Sequence, residues 1–304
     1  MDIIGLGEAM VEFNQTKSGK EYAPGFGGDT SNCIVAAARQ GANAGYISAV
    51  GSDSFGDLLV GMWKNEGVDT ATVQRNANAA TGIYFVTHGV DGHQFTYYRK
   101  GSAASLMTPA DMPTDAIKSA KILHISAISQ AISESACDAV FAAIKIAKDG
   151  GVMVSYDTNL RLSLWPKDRA TPIVQRTAEL SDIILPGLED VQALTGLDDP
   201  NAICDLYLEL GIGTVALTMG EQGALIATPN KRKQLEPYLI NCVDATGAGD
   251  AFDGAFLARI AAGDDVFDAA LYANAAAALS TTGFGAIASI PKPGDVRALM
   301  AAAD

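Results

Sequence analysis

Short runs that are apolar from end to end alternate along the chain with longer amphipathic stretches. This alternation constrains the fold more than any other feature of the sequence. The strand-like runs are 3–6, 45–50, 122–125, 152–156, 183–185, 214–218 and 224–227. Helix-like stretches lie at 31–40, 53–66, 134–148, 201–210, 250–262 and 266–279. A strand without a polar side must be covered on both faces, and helical crossovers between such strands build a mostly parallel sheet. An α/β fold with helices on both faces is therefore expected. No internal repeat, low-complexity tract or linker interrupts the 304 residues, so 1–304 reads as a single α/β domain.

One segment breaks the alternation. Gly82-Ile83-Tyr84-Phe85-Val86-Thr87-His88-Gly89-Val90 and His93-Gln94-Phe95-Thr96-Tyr97-Tyr98-Arg99 flank Asp91-Gly92, a strong short-range hairpin signal. The hairpin is expected to stand apart from the main sheet as a flap or lid. With Asp91-Gly92 as a two-residue loop, Val90 pairs with His93, Val86 with Tyr97 and Tyr84 with Arg99. Opposed residues share a face, which puts Tyr84, Tyr97 and Arg99 on one side. Two phenols and a guanidinium there suit either a grip on a small polar anion or an ordinary solvated face.

Several classes of function are disfavoured. Asp and Glu number 35 against 21 Lys and Arg, a net charge of −14. Such a field repels phosphate backbones and anionic lipid, so nucleic-acid and membrane partners are not expected. No apolar run approaches the ~20 residues that span a bilayer. Met1-Asp2-Ile3-Ile4 has no basic leader, and a cytoplasmic protein is expected. Cys33, Cys137, Cys204 and Cys242 lack metal or redox spacing and are expected to be buried thiols. The chain has no GxxxxGK[ST], GxSxG or HExxH motif, and His88, His93 and His124 lack ligand spacing. In Gly5-Leu6-Gly7-Glu8-Ala9-Met10 a methionine replaces the third glycine of the dinucleotide fingerprint.

The strongest chemical signal is Asp244-Ala245-Thr246-Gly247-Ala248-Gly249-Asp250, which leads into a helical stretch. Gly247 and Gly249 let the backbone aim several N–H groups at one point. The helix start adds its unpaired N–H groups and positive dipole end, giving an anion cradle without a lysine. Asp250, in the first turn, can act as a base toward an attacking hydroxyl or simply cap the helix. A plain cap needs no Gly-Ala-Gly loop, and that favours the base.

These residues resemble the signature of the ribokinase family of sugar kinases, the PfkB carbohydrate kinases. The resemblance runs nearly the whole chain, through Gly25-Phe26-Gly27-Gly28-Asp29-Thr30-Ser31-Asn32, Gly51-Ser52-Asp53-Ser54-Phe55-Gly56 and Thr218-Met219-Gly220-Glu221-Gln222-Gly223. It implies a ribokinase-like three-layer α/β/α fold with a mostly parallel central sheet. A small discontinuous β lid is implied at about 9–25 and 82–101. ATP phosphates are expected over Gly247, Ala248 and Gly249, with Asp250 as general base and Thr218, Gly220 and Gly223 in the nucleotide loop. Asn274 either flanks the adenine or packs. Glu189 is expected to act on the Mg2+ hydration shell, although Pro186 stands where the family motif has asparagine. Asp244, Thr246, Gly285 and Ser289 resemble the loops that hold a monovalent cation such as K+ in some members, or serve as loop structure alone.

Within that family the chain is similar in particular to the 2-keto-3-deoxygluconate kinases. The likeness lies in Gly7-Glu8, Thr81-Gly82-Ile83-Tyr84, Tyr97-Tyr98-Arg99-Lys100-Gly101-Ser102-Ala103-Ala104 and Asp157-Thr158-Asn159-Leu160-Arg161. It implies that Gly28, Asp29, Tyr84, Tyr97, Arg99 and Arg161 meet a sugar acid whose carboxylate matches the planar guanidinium fork. Asn159 and Arg161 either reach the phosphates or close the strand end in a salt bridge. The expected reaction is ATP-dependent phosphorylation of the primary hydroxyl of 2-keto-3-deoxygluconate to its 6-phosphate. The alternatives are a kinase for fructose or another neutral sugar, and a non-catalytic sugar-acid sensor on the same scaffold. A nucleoside kinase sits poorly with the basic Arg99-Lys100 pair. A homodimer through the tyrosine-rich lid is expected.

Overall fold

The apolar runs become the middle of a large sheet, where helices cover both of their faces. The computed structural model describes residues 1–16, 19–89 and 92–303. Among the described residues the strands are β1 (Ile3–Leu6), β2 (Met10–Gln15), β3 (Tyr22–Gly27), β4 (Ala44–Gly51), β5 (Val73–Asn76), β6 (Ile83–Gly89) and β7 (Gly92–Tyr98). They continue with β8 (Ile122–Ser126), β9 (Met153–Asp157), β10 (Ile183–Leu185), β11 (Thr214–Thr218), β12 (Ala224–Thr228) and β13 (Lys231–Leu235). Nine of them form one sheet in the order β13-β12-β11-β10-β9-β8-β1-β4-β5. Pairings are parallel from β11 through to β5, and β12 and β13 run antiparallel at one edge.

Side-chain alternation sends neighbouring residues into different cores. Ile3 and Ile183 belong to one apolar cluster, Ile4 and Ile184 to the other. The first core lies under the helices Asp29–Arg39, Ala248–Ala262 and Val266–Ser280, and the second under Glu134–Asp149, Lys167–Glu179 and Pro200–Glu209. The sheet is thus the middle of three layers, as expected. The two helices of the first layer that matter most for function cross closely at Gly254. A Cβ there would stand 2.2 Å from the Cys33 carbonyl oxygen, so only glycine permits the approach. Cys33, Cys137 and Cys204 are buried thiols, whereas Cys242 corrects the expectation and is exposed. Among the described residues no helix is long and apolar enough to cross a membrane.

The remaining four strands form a separate sheet in the order β3-β2-β6-β7, antiparallel except for the β2–β6 pair. β2, β6 and β7 fall within 9–25 and 82–101, whereas β3 runs two residues past the first stretch to Gly27. The hairpin register differs from the expected one: Tyr84 opposes Tyr97, Val86 opposes Phe95, His88 opposes His93 and Gly89 opposes Gly92. Val90 and Asp91, the expected start of the turn, lie outside the described residues. The offset is two residues, and a shift by two keeps every side chain on its face. Tyr84 and Tyr97 therefore still share a side, with ring centroids 5.5 Å apart. On the opposite side Phe13 stacks on Phe85 at 5.1 Å and meets Phe55 edge-on at 5.7 Å, seating the small sheet on the helix Ser54–Asn65.

Candidate active site

The chain leaves β1, by way of the small sheet, toward β4 on one side and leaves the neighbouring β8 toward β9 on the other, so the connections at their carboxyl ends diverge. A crevice at such a point is where open α/β sheets bind ligands. Here a cleft of about 1450 Å³ opens between the carboxyl strand ends and the small sheet. Most residues singled out from the sequence line it. Gly28, Asp29, Tyr84, Tyr97, Arg99, Asn159 and Arg161 lie toward the small sheet, together with Asp250. Glu189, Thr218, Gly220, Thr246, Gly247, Ala248 and Gly249 line the remainder.

The helix Ala248–Ala262 points its start into this cleft. Gly247 is its N-cap, left-handed at φ 77°, and no side chain among the described residues caps it. The Ala248 N–H donates to the Ala245 carbonyl at 3.1 Å, which leaves the N–H groups of Gly249 and Asp250 for a ligand at the positive end of the dipole. A Cβ on Gly247 would stand 2.8 Å from Ala286 Cβ, whereas one on Gly249 would meet open space. The loop is packed behind and open in front. Asp250 follows in the first turn. Burial pushes its carboxyl up to about 7, Asp29 adds to the rise, and the hydrogen bond from Asn32 with the charge of Arg161 opposes it. Asn32 Nδ2 donates to Asp250 Oδ2 at 2.8 Å.

Three residues of the cleft that bear on Asp250 were not singled out from the sequence. Asn32 is buried, and its Oδ1 has no hydrogen-bond partner among the described residues. Asp157, at the end of β9, is raised well above the usual carboxylate range by burial and by the charges of Asp29 and Asp250. Asp253 is raised by burial and by Asp157. Together with Asp29 and Asp250 they give the cleft a floor of four carboxyl groups. Asp253 carried a faint signal, standing three residues after Asp250 on the same helix face.

On the small-sheet side, three donors are committed to carboxylates of the chain itself. Arg99 Nε donates to Glu8 Oε2 at 2.7 Å and its Nη2 lies 2.6 Å from the same oxygen. The Ser102 hydroxyl donates to the other oxygen of Glu8. The Tyr84 hydroxyl donates to Glu12, and burial raises its phenol far above the ordinary value. The charge of Arg99 is therefore matched from within, which weakens the argument that it serves a substrate carboxylate. Arg161 is the more available cation: it is half-exposed and its contact to Asp190 is long, at 3.8 Å. Asn159 Nδ2 donates to Asp29 at 3.3 Å, and its backbone N–H donates to Asp157 at 2.9 Å.

Five of the singled-out residues stand outside the cleft lining. Gly223 closes a turn beside Leu235, and Asn274 Nδ2 donates to the Glu236 carbonyl at 2.8 Å. Asp244 Oδ2 accepts from the Gly285 N–H at 3.0 Å, its Oδ1 accepts from the Thr246 hydroxyl at 2.6 Å, and Ser289 Oγ donates to the Gly285 carbonyl at 2.6 Å. Those bonds tie two loops together. Among the described residues no group of three or more His, Cys, Asp or Glu is arranged to hold a metal ion. Magnesium keeps most of its waters and needs one or two carboxylates beside substrate phosphates, a demand that the exposed Glu189 can meet.

The profile described as pfkB family carbohydrate kinase matches residues 1–293. Fructokinase-1 of Oryza sativa subsp. japonica is 34% identical over 319 residues, which cover 99% of this chain and 98% of the rice protein. A fructokinase of Vibrio cholerae O395, solved with fructose, ADP and calcium, superposes with a TM-score of 0.89 at 30% identity, covering 98% of this chain and 99% of that one. An E. coli protein solved with ATP and Mg2+ superposes with a TM-score of 0.92 at 29% identity, covering 99% of each chain.

Proposed function

The chain belongs to the pfkB family of carbohydrate kinases, and from that premise we propose that it transfers the γ-phosphoryl group of ATP to the terminal hydroxyl of a six-carbon 2-keto sugar, with fructose the first substrate to test. The carrying observation is Asp250, held by Asn32 beside an uncapped helix start and titrating near 7. A base whose pKa lies near the working pH combines ionisation with proton affinity.

In this reading the primary hydroxyl gives its proton to Asp250 as its oxygen attacks the γ-phosphorus. A new P–O bond forms, the bond to the β-phosphate oxygen breaks, and ADP leaves with that electron pair. The N–H groups of Gly247 and Gly249 hold the charge on the transferring group, and that of Ala248, held by the Ala245 carbonyl, keeps the loop in shape. Thr218 and Gly220 border the nucleotide, and Asn159 and Arg161 stand between the two substrates. Glu189 would hold the hydration shell of Mg2+, which neutralises phosphate charge when bound. Gly28, Asp29, Tyr84 and Tyr97 would take the sugar hydroxyls.

Fructose comes first because the rice and V. cholerae proteins named above are fructokinases and because Glu8 and Glu12 already engage Arg99 and Tyr84. The acid 2-keto-3-deoxygluconate is the second reading, favoured by the half-exposed Arg161 in the same cleft. Both share a keto group and a terminal hydroxyl. ADP release with Mg-ATP and fructose, 2-keto-3-deoxygluconate, ribose or adenosine separates them. Turnover of fructose alone supports the first reading and of the acid alone the second; no turnover with any acceptor defeats both.

The electrostatics make a further prediction. Asp250 works ionised, so kcat/KM for the sugar falls as pH drops below about 7. Asp29 is the main charge raising Asp250. Asp29→Asn is expected to move the acid limb of the kcat/KM profile to lower pH. An unmoved limb would remove Asp29 from that role.

A further inference from the structure

The helix Asp29–Arg39 reaches both ends of the machinery. Near its start Asn32 donates to Asp250, and at its end Arg39 spreads its guanidinium over four acceptors. Nε and Nη2 each lie 2.7 Å from a Glu66 carboxylate oxygen. Nη1 donates to the Ile287 carbonyl at 2.7 Å and to the Ile290 carbonyl at 2.8 Å. The adjacent Gln40 donates to the Pro291 carbonyl at 2.8 Å and is itself held by the Tyr272 hydroxyl at 2.7 Å. The 285–291 stretch is thus pinned from behind by the end of one helix. In front, its Ala286 lines the cleft and fills the space against Gly247 that a side chain there would need.

We propose that Arg39 is a positioning residue for the nucleotide phosphates. Through Ile287 and Ile290 it fixes Ala286, and Ala286 fixes the backbone of Gly247 from which the anion cradle starts. The inference rests on the reading of Gly247–Gly249 as the ATP phosphate site. It goes beyond that reading by giving a residue that touches neither substrate a role in the affinity for one of them. The guanidinium is only 19% exposed, and its planar fork serves the carboxylate and the two carbonyls at once. A lysine can keep the charge near Glu66 but cannot reproduce that planar arrangement.

The test is Arg39→Lys, with Glu66→Gln as the milder variant. Initial rates are measured with ATP varied at saturating sugar and with sugar varied at saturating ATP. Hydrogen exchange is followed across 285–291 in the nucleotide-free enzyme. Arg39→Lys is expected to raise KM for ATP about tenfold and leave KM for the sugar within about twofold, while exchange across 285–291 accelerates. If that variant does not fold, Glu66→Gln is expected to raise KM for ATP by about threefold with the same selectivity. Equal changes in both KM values, or a change confined to kcat or melting temperature, would overturn the proposal. So would unchanged exchange across 285–291. If the wild-type enzyme transfers no phosphoryl group, the proposed function fails separately. The inference is then judged on ADP affinity by calorimetry, where an unchanged or undetectable Kd defeats it.

Discussion

Asp250→Asn is expected to lower kcat about 10³-fold while ADP affinity stays within about twofold of wild type. The amide keeps the shape of the carboxyl and can still meet Asn32, but it cannot accept the hydroxyl proton. The cradle N–H groups belong to the backbone and are untouched, so nucleotide binding should persist. Turnover close to wild type would remove Asp250 from the base role. The same variant has a stability signature. The native pKa of Asp250, about 7, stands above the ordinary 3.8. The folded state therefore holds a proton that the unfolded state has lost between those values, and this contribution fades as pH rises through 7. Asp250→Asn removes the cost of burying the charge, and its melting temperature at pH 8 should exceed that of the wild type.

The second large effect is expected at Arg99. Its partner Glu8 has a side chain 1% exposed, and Arg99 itself is 11% exposed. Removing one member of a buried pair leaves an uncompensated charge and costs about 3–5 kcal/mol. Arg99→Ala should accordingly lower the melting temperature by about 10 °C, given roughly 2–4 °C per kcal/mol for a chain of this size. The loss reaches function because Glu8 follows β1, where the chain crosses into the small sheet, and Arg99 follows β7, where it returns. Combining Arg99→Met with Glu8→Gln should recover much of the stability, since neither partner then carries a charge. Thermal scanning of the two variants decides the matter: an unchanged melting temperature in Arg99→Ala would mean that the pair is not holding the crossing together.

The sequence is legible where one local rule decides the outcome. Residues 183–185 are apolar throughout and 214–218 are apolar between two threonines, and the strands β10 and β11 have those limits. β5 and β13 escape such reading because they are polar edge strands, Val-Gln-Arg-Asn and Lys-Arg-Lys-Gln-Leu. The helix Lys167–Glu179 escapes because it is mostly polar and contains Pro172. In the site, Gly247–Asp250 announces itself because the loop chemistry is local. The pairing of Asn32 with Asp250 joins residues 218 positions apart and depends on two helices crossing at Gly254. Glu12 is unremarkable in the sequence and Glu8 stands out there only through the family likeness, and it is the fold that brings them to Tyr84 and Arg99.

The four carboxyl groups beneath the cleft bear on the end of the catalytic cycle as well as its start. A sugar arrives carrying no phosphate and leaves carrying about two negative charges. Burial holds the Asp157 and Asp253 carboxyls toward their neutral form, and Asp250 has just taken the hydroxyl proton, so the product forms beside groups that carry little charge. When Asp250 passes that proton to solvent, its carboxylate stands against the new phosphate, and the repulsion is relieved only when the product departs. The same burial that prepares Asp250 to take a proton thus works toward emptying the site, favouring weak inhibition by the phosphorylated sugar.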